Sequence, residues 1–311
     1  MSEMMDLKAA AADVLKECRE AADELKNQGI VPCLAILRVG EKGPDLSYEK
    51  GATKTMAEAG IEVKSVALPA DVSQEEYIRT LDSLSADKSI HGILTLRPLD
   101  NIDENEAIGR HLDPLKDVDC CTAANMGKVV VNDPTALFPC TAGAVFRIIE
   151  TYAGPELQGK NICIVNNSNV IGKPLSMMLT NRYATVSVIH HLTTEEDKIR
   201  LASQADILVT AVPFKNTVGA EMVKEGAMVI DASVIREKVF DETGAPVMNE
   251  KTGKQKVATI GCLTADAKAK AGLLSPVPGV GGVTSAMLAG NLIKACKLAA
   301  EASLTAASEK A

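Results

Sequence analysis

Asn161-Ile162-Cys163-Ile164-Val165 runs into Asn166-Asn167-Ser168-Asn169-Val170-Ile171-Gly172-Lys173-Pro174, and a segment of helical character follows through Leu179. A short apolar run bounded by turn formers reads as a buried strand, and Gly-Lys-Pro leading into spaced apolar residues reads as a helix start. Strand, tight turn and helix in this order form the first crossover of a doubly wound domain, where dinucleotide phosphates usually sit. The stretch has no G-x-G-x-x-G, so on pattern alone an ordinary structural turn fits it as well.

Downstream, Thr185 to Ile189, Ile207 to Ala211 and Met228 to Asp231 read as further strands separated by helix-length segments, which is the layout of a parallel sheet wrapped by helices. Phe240 to Val257 reads as a turn-rich surface excursion. A final Ala-rich helix is expected over Thr284 to Ala300, with a fraying polar tail. Upstream, Thr141 to Tyr152 reads as a linking helix. Before it a second α/β series begins with a helix over Met4 to Asn27, stopped by Gly29, and a strand over Cys33 to Val39. A helix over Ser47 to Ala59 and a strand over Ile61 to Leu68 come next. Ser73 and Glu76 make a capping box, and Ile90 to Leu96 is a buried strand closed by Pro98. The sequence therefore predicts an α/β protein of two domains: an N-terminal domain over 1–145, completed by the helix over 284–311, and a Rossmann-like domain over 146–283.

Composition narrows the function classes. With 311 residues, 46% hydrophobic and 24% charged, the chain is long enough for two cores. Lys and Arg number 33 against 41 Asp and Glu, a net charge of −8, and no basic segment carries aromatic residues, which argues against nucleic acid as a partner. Eight cysteines are scattered without metal-ligand spacing and read as reduced thiols, so no metal is expected. Met1 to Gly29 is charged and rich in acids, unlike a signal or transit peptide, and no apolar run is long enough to span a bilayer. The expectation is a cytoplasmic protein with no membrane partner.

Six blocks come in one order: Gly51…Gly60-Ile61, His91-Gly92-Ile93-Leu94, Lys116-Asp117-Val118-Asp119, Pro139-Cys140-Thr141, Ser168…Gly172-Lys173-Pro174 and Pro276-Val277-Pro278-Gly279. Through them the chain resembles the methylenetetrahydrofolate dehydrogenase/cyclohydrolase family over nearly its whole length. The resemblance implies a folate-contacting N-terminal domain, a Rossmann domain, a cleft between them and a homodimer. It also implies hydride transfer from 5,10-methylenetetrahydrofolate to a nicotinamide cofactor. Tyr48 matches the family's pterin-side tyrosine, though as a residue it also reads as a half-buried helix tyrosine. Asp119 matches the aspartate that holds the pterin's amidine-like edge, though Asp-Val-Asp also makes turn caps. Val277, Pro278 and Gly279 would lie beside the ligands. Ser168 and Gly172 fall in the phosphate turn, and Thr141, Ala232, Val234 and Thr284 match positions on the nicotinamide and ribose side.

The departures from the family are as informative. Four residues after the tyrosine, where bifunctional members carry a lysine on the same helix face, stands Ala52, and the glutamine that supports that lysine is Leu96. Lys50 and Lys54 flank the position but project elsewhere at ~100° per residue. Cyclohydrolysis needs a positioned acid or base, whereas hydride removal is helped by N5 and N10 and needs mainly alignment. The sequence thus predicts a dehydrogenase without cyclohydrolase activity, with a separate cyclohydrolase as a possible partner. The alternatives are a bifunctional enzyme with a displaced lysine and a catalytically silent binding regulator. The family's Gly-Arg-Ser is Asn166-Asn167-Ser168, which removes the arginine facing an adenosine 2′-phosphate and favours NAD over NADP. His190 ends the next strand in place of an acid; protonated, it would still welcome that phosphate.

Overall fold

The structure is a computed structural model that describes residues 2–250 and 253–308. The chain divides into two compact units. One gathers Ala9–Ala144 with the segment from Gly282 onward, and the other gathers the segment through Lys8 with Val145–Gly281.

The start of the chain differs from expectation. Glu3–Met4 is a short strand, β1, paired in parallel with Leu273 and Leu274, so the first helix, α1 (Leu7–Asn27), begins after it. Within the first unit β2 (Cys33–Val39), β3 (Glu62–Leu68) and β4 (Gly92–Thr95) form a parallel sheet in the order β3-β2-β4. Between them lie α2 (Gly43–Glu58) and α3 (Gln74–Ala86), and after them α4 (Glu104–His111), α5 (Ala123–Val130) and α6 (Cys140–Ala153). Helix α2 starts a turn earlier than expected because Pro44 occupies its first turn, where a missing N–H costs nothing. Helix α3 starts as its sequence requires, with Ser73 Oγ accepting the Glu76 N–H at 3.2 Å.

Strand β2 is buried on both faces, and its period of two sorts its side chains. Leu34 and Ile36 pack with Val14, Cys18 and Ala22 of α1 and with Leu288, Leu292 and Cys296 of the last helix. Ala35 and Leu37 pack with Tyr77, Leu81, Ala107 and Ile108 on the other face. Gly92 lets β4 lie against these layers: a Cβ there would stand 2.4 Å from both Val118 Cγ1 and Leu292 Cδ1.

In the second unit β5 (Asn161–Val165), α7 (Gly172–Thr180), β6 (Thr185–Ile189), α8 (Glu195–Ala202), β7 (Ile207–Thr210) and β8 (Met228–Asp231) alternate as the sequence predicts. The expected surface excursion is bracketed by an antiparallel hairpin, β9 (Ile235–Lys238) with β10 (Val257–Ile260), and backbone bonds such as Lys256 N–H to Val247 O extend its pairing. After α9 (Ala265–Lys270) and β11 (Leu273–Leu274), the six-stranded parallel sheet has the order β1-β11-β8-β7-β5-β6. The final helix, α10 (Val280–Ser308), is longer at both ends than expected, since the segment taken as a fraying tail is helical through Ser308. Among the described residues no helix is long and apolar enough to cross a membrane.

Candidate active site

In the first unit the candidate site is built on the loop that follows α4. Asp117, fully buried, accepts the backbone N–H groups of Cys121 and Thr122, both at 2.9 Å, the Thr122 hydroxyl at 2.7 Å and the Asn125 amide at 3.0 Å. A buried carboxylate with this many donors knots a loop in place. Lys116 is equally structural: its ammonium donates to the carbonyls of Ser85 at 2.6 Å and Asp87 at 2.8 Å. The chain then turns at Cys120, whose φ of 51° is left-handed. Of the Lys-Asp-Val-Asp block only Asp119 turns outward, one third exposed.

Asp119 lies among groups from three other segments. The Cys140 N–H at the start of α6 donates to it at 3.4 Å, while the Cys140 thiol donates to Val118 O at 3.4 Å. Arg97, just beyond β4, brings Nη2 to 3.8 Å from Asp119 Oδ2 and Nη1 to 3.8 Å from Glu104 Oε2. Burial raises the Asp119 pKa above the ordinary carboxylate value, against the opposing pull of Cys140 and the Arg97 charge. Tyr48, on α2, exposes 42% of its surface, and its phenol is pushed up by desolvation first and then by the charge of Asp119. Four residues on, Ala52 is 2% exposed and Leu96 is 6% exposed, both in one apolar cluster that also holds Cys140. Lys50 lies exposed on the surface, and Lys54, its side chain 81% exposed, pairs with Glu58 at 3.7 Å.

The second unit carries the phosphate turn. Asn166 organises it: Oδ1 accepts the N–H groups of Ser168 at 2.8 Å and Gly172 at 3.1 Å, while Nδ2 donates to Ala211 O at 2.7 Å. Strand β5 has β6 on one side and β7 on the other, so this side chain bridges the switch point of the sheet, where ligands of such folds bind. A Cβ on Gly172 would stand 1.9 Å from the Asn166 carbonyl oxygen, so the helix start and the turn need glycine there. Asn167 is exposed and Ser168 half-buried. A turn this close to a helix N-terminus fits a dinucleotide's phosphates. His190 at the end of β6 accepts the Leu192 N–H on Nδ1 at 3.2 Å, which leaves Nε2 as its free ring nitrogen.

Beside the turn, Asp231 is 3% exposed and accepts from the Thr210 hydroxyl at 3.1 Å and the backbone N–H groups of Ser233 at 3.0 Å and Cys262 at 2.8 Å. It fixes the end of β8, so that Ala232 is half-buried and Val234 is 67% exposed. Val277, Pro278 and Gly279 belong to this unit, with the Val277–Pro278 peptide cis. Thr141 and Thr284, expected on the cofactor side, fall in the first unit, each half-buried. The sequence reading set Arg97 only in part of the space the lysine leaves, as a poor general base, and gave no role to Cys140 as a hydrogen-bond donor or to Asn166 as the organiser of the turn. The Pro-Cys-Thr and Asp-Val-Asp blocks were the available signals, but only the folded chain brings them together.

Two family models cover these two regions. Residues 5–119 match the tetrahydrofolate dehydrogenase/cyclohydrolase catalytic domain, and residues 139–300 match the NAD(P)-binding domain of the same family. The chain is 37% identical to the bifunctional protein FolD of Alkaliphilus metalliredigens over 96% of its own length and 98% of that protein. The crystal structure of the bifunctional FolD of Campylobacter jejuni has a TM-score of 0.83 at 31% identity, covering 96% of this chain and 99% of that one. The FolD of Trypanosoma brucei, solved with NADP and an inhibitor, gives 0.83 at 30% identity, covering 96% and 98%. The chain belongs to the tetrahydrofolate dehydrogenase/cyclohydrolase family.

Proposed function

We propose that this protein oxidises 5,10-methylenetetrahydrofolate to 5,10-methenyltetrahydrofolate with NAD or NADP as hydride acceptor. The observation that carries the reading is Asp119, a carboxylate turned outward from a loop that Asp117 locks, in the region matched to the family's catalytic domain. In this reading Asp119 accepts two N–H bonds from the pterin's amidine edge and Tyr48 packs along the ring, so that the bridge carbon is held in one orientation. N5 and N10 of the substrate stabilise the cation that forms, and orientation supplies most of the remaining effect. The bound nicotinamide supplies the hydride acceptor. Asn166 and Gly172 shape the turn for its phosphates, with Asn167, Ser168 and His190 towards the adenosine and Ala232 and Val234 towards the nicotinamide.

NAD is the proposed preference. Asn167 carries no charge, and His190 already uses Nδ1 as an acceptor. Steady-state kinetics with both cofactors test this: a higher kcat/KM with NAD is expected, and a higher value with NADP overturns it. We also propose a homodimer, tested by light scattering against the monomer mass of 32.7 kDa.

A second reading adds cyclohydrolase activity. It is favoured by the curated relatives, which carry the name bifunctional protein FolD at 36–39% identity, and this weighs against the dehydrogenase alone that the sequence suggested. On the other side stand Ala52 and Leu96, which put apolar packing where the lysine and its partner would act. Methenyltetrahydrofolate decay without cofactor, against an enzyme-free control, separates the two. Faster decay supports the two-activity reading; with Lys50 exposed and Lys54 tied to Glu58, it is expected to persist in Lys50→Ala and Lys54→Ala. Decay equal to the control leaves the dehydrogenase alone.

A further inference from the structure

Arg97 is held in an unusual way. Its side chain is about two thirds buried, at 31% exposure, between two carboxylates, yet each contact is 3.8 Å long. Hydrogen bonds from guanidinium to carboxylate close to about 2.7–2.9 Å. Arg97 therefore makes two ion pairs and no hydrogen bond to any described residue, which leaves a planar fork of five N–H donors unfilled beside Asp119. Glu104 does not draw it away, because Glu104 Oε1 is already engaged by the Leu99 N–H at 2.8 Å. A partly buried charge costs free energy unless its donors find partners, and donors that the protein leaves open meet water in the free site and can be taken over by a ligand that displaces it.

The ligand proposed for Asp119 has the missing acceptor. A pterin presents its 2-amino group, its N3–H and its C4 carbonyl in a row: two donors and then an acceptor. A carboxylate opposite the first two places the next group along the edge opposite the carbonyl. We infer that Arg97 donates to the C4 carbonyl of the pterin while Asp119 takes the two N–H groups, so that the pair reads the whole lactam edge. The 3.8 Å gap suits this, since the two side chains are near enough to contact neighbouring atoms of one ring and too far apart to satisfy each other. Arg97 is then a substrate-contacting residue that sets specificity for 4-oxo over 4-amino pterins, because a 4-amino group would point a donor at a cation. The inference rests on the folate reading of this site.

The test compares two probes on the full-length protein by titration: tetrahydrofolate and its 4-amino analogue. The unaltered protein is expected to bind tetrahydrofolate about 10- to 100-fold more tightly, the range for a hydrogen bond involving a charged group. In Arg97→Leu tetrahydrofolate should weaken by a similar factor while the 4-amino analogue changes little, so the preference narrows to the part that Asp119 draws from N3–H, which the 4-amino ring lacks. Arg97→Lys, which keeps the charge and a donor, should recover part of it. An unchanged far-ultraviolet circular dichroism spectrum and Tm in both variants establish that they are folded. Equal weakening of both probes in Arg97→Leu, or no weakening of either, overturns the role of Arg97 and leaves the folate reading standing. Failure of the unaltered protein to bind tetrahydrofolate at all overturns the folate reading itself.

Discussion

Asp119 holds its proton more tightly than an ordinary carboxylate because burial outweighs the donors around it. Binding a pterin edge needs the ionised form, so folate affinity should fall as pH drops through this raised pKa, at a higher pH than a surface aspartate would give. Cys140→Ala removes a thiol that holds the Asp119 pKa down and should move that acid limb further up in pH, read as KM for the folate against pH; an unmoved limb would mean that Asp119 is not the titrating group. Asp119→Ala should weaken folate by ~10- to 150-fold, the cost of a charge-assisted pair, and leave dinucleotide affinity intact. A matched loss of both would point to misfolding. At this scale the sequence exposes Tyr48 and Asp119 because their blocks keep the family spacing. It hides Arg97 and Cys140, whose relevance comes from a loop, a strand end and a helix start meeting in space.

At the scale of elements, period and caps were readable wherever the signal was local. Strands β2, β5, β6 and β8 fall at the residues their patterns give, and Ser73 caps α3 as its box requires. Strands β1 and β11 were not legible, because two-residue strands carry no periodicity: β1 exists only through a partner some 270 positions away, and β11 only through its pairing with β1 and β8. Glycines at close approaches make sharp tests of packing. Gly92→Ala puts a methyl into the space held by Val118 and Leu292 and should cost about 1–3 kcal/mol, seen as a lower Tm. Asn166→Ala strips partners from Ser168 N–H, Gly172 N–H and Ala211 O together, and should weaken dinucleotide binding while tetrahydrofolate affinity stays unchanged. Weakening of tetrahydrofolate alone would mean that the turn does not serve the dinucleotide.

For the whole molecule, α/β alternation and six ordered blocks made the two-unit plan legible, but the sequence could not show that the segment through Lys8 packs with the second unit. Reduced thiols were also readable, and burial now gives them a measurable property. Six of the eight cysteines are buried and two are half-buried, with Cys18 and Cys262 each pushed up to about 11. A thiol-specific reagent at neutral pH should therefore label the native protein slowly, with the half-buried Cys33 first, because the Cys121 thiol is pushed far up by burial and by Asp117, to which it donates. Rapid labelling of all eight would contradict the packing described. The oxidation itself is read from reduced nicotinamide absorbance when purified protein meets 5,10-methylenetetrahydrofolate with NAD or NADP. Folate-dependent turnover is expected, with the larger kcat/KM for NAD. No turnover with either cofactor, from protein that binds both tetrahydrofolate and dinucleotide, would contradict it and identify a binding protein without catalysis.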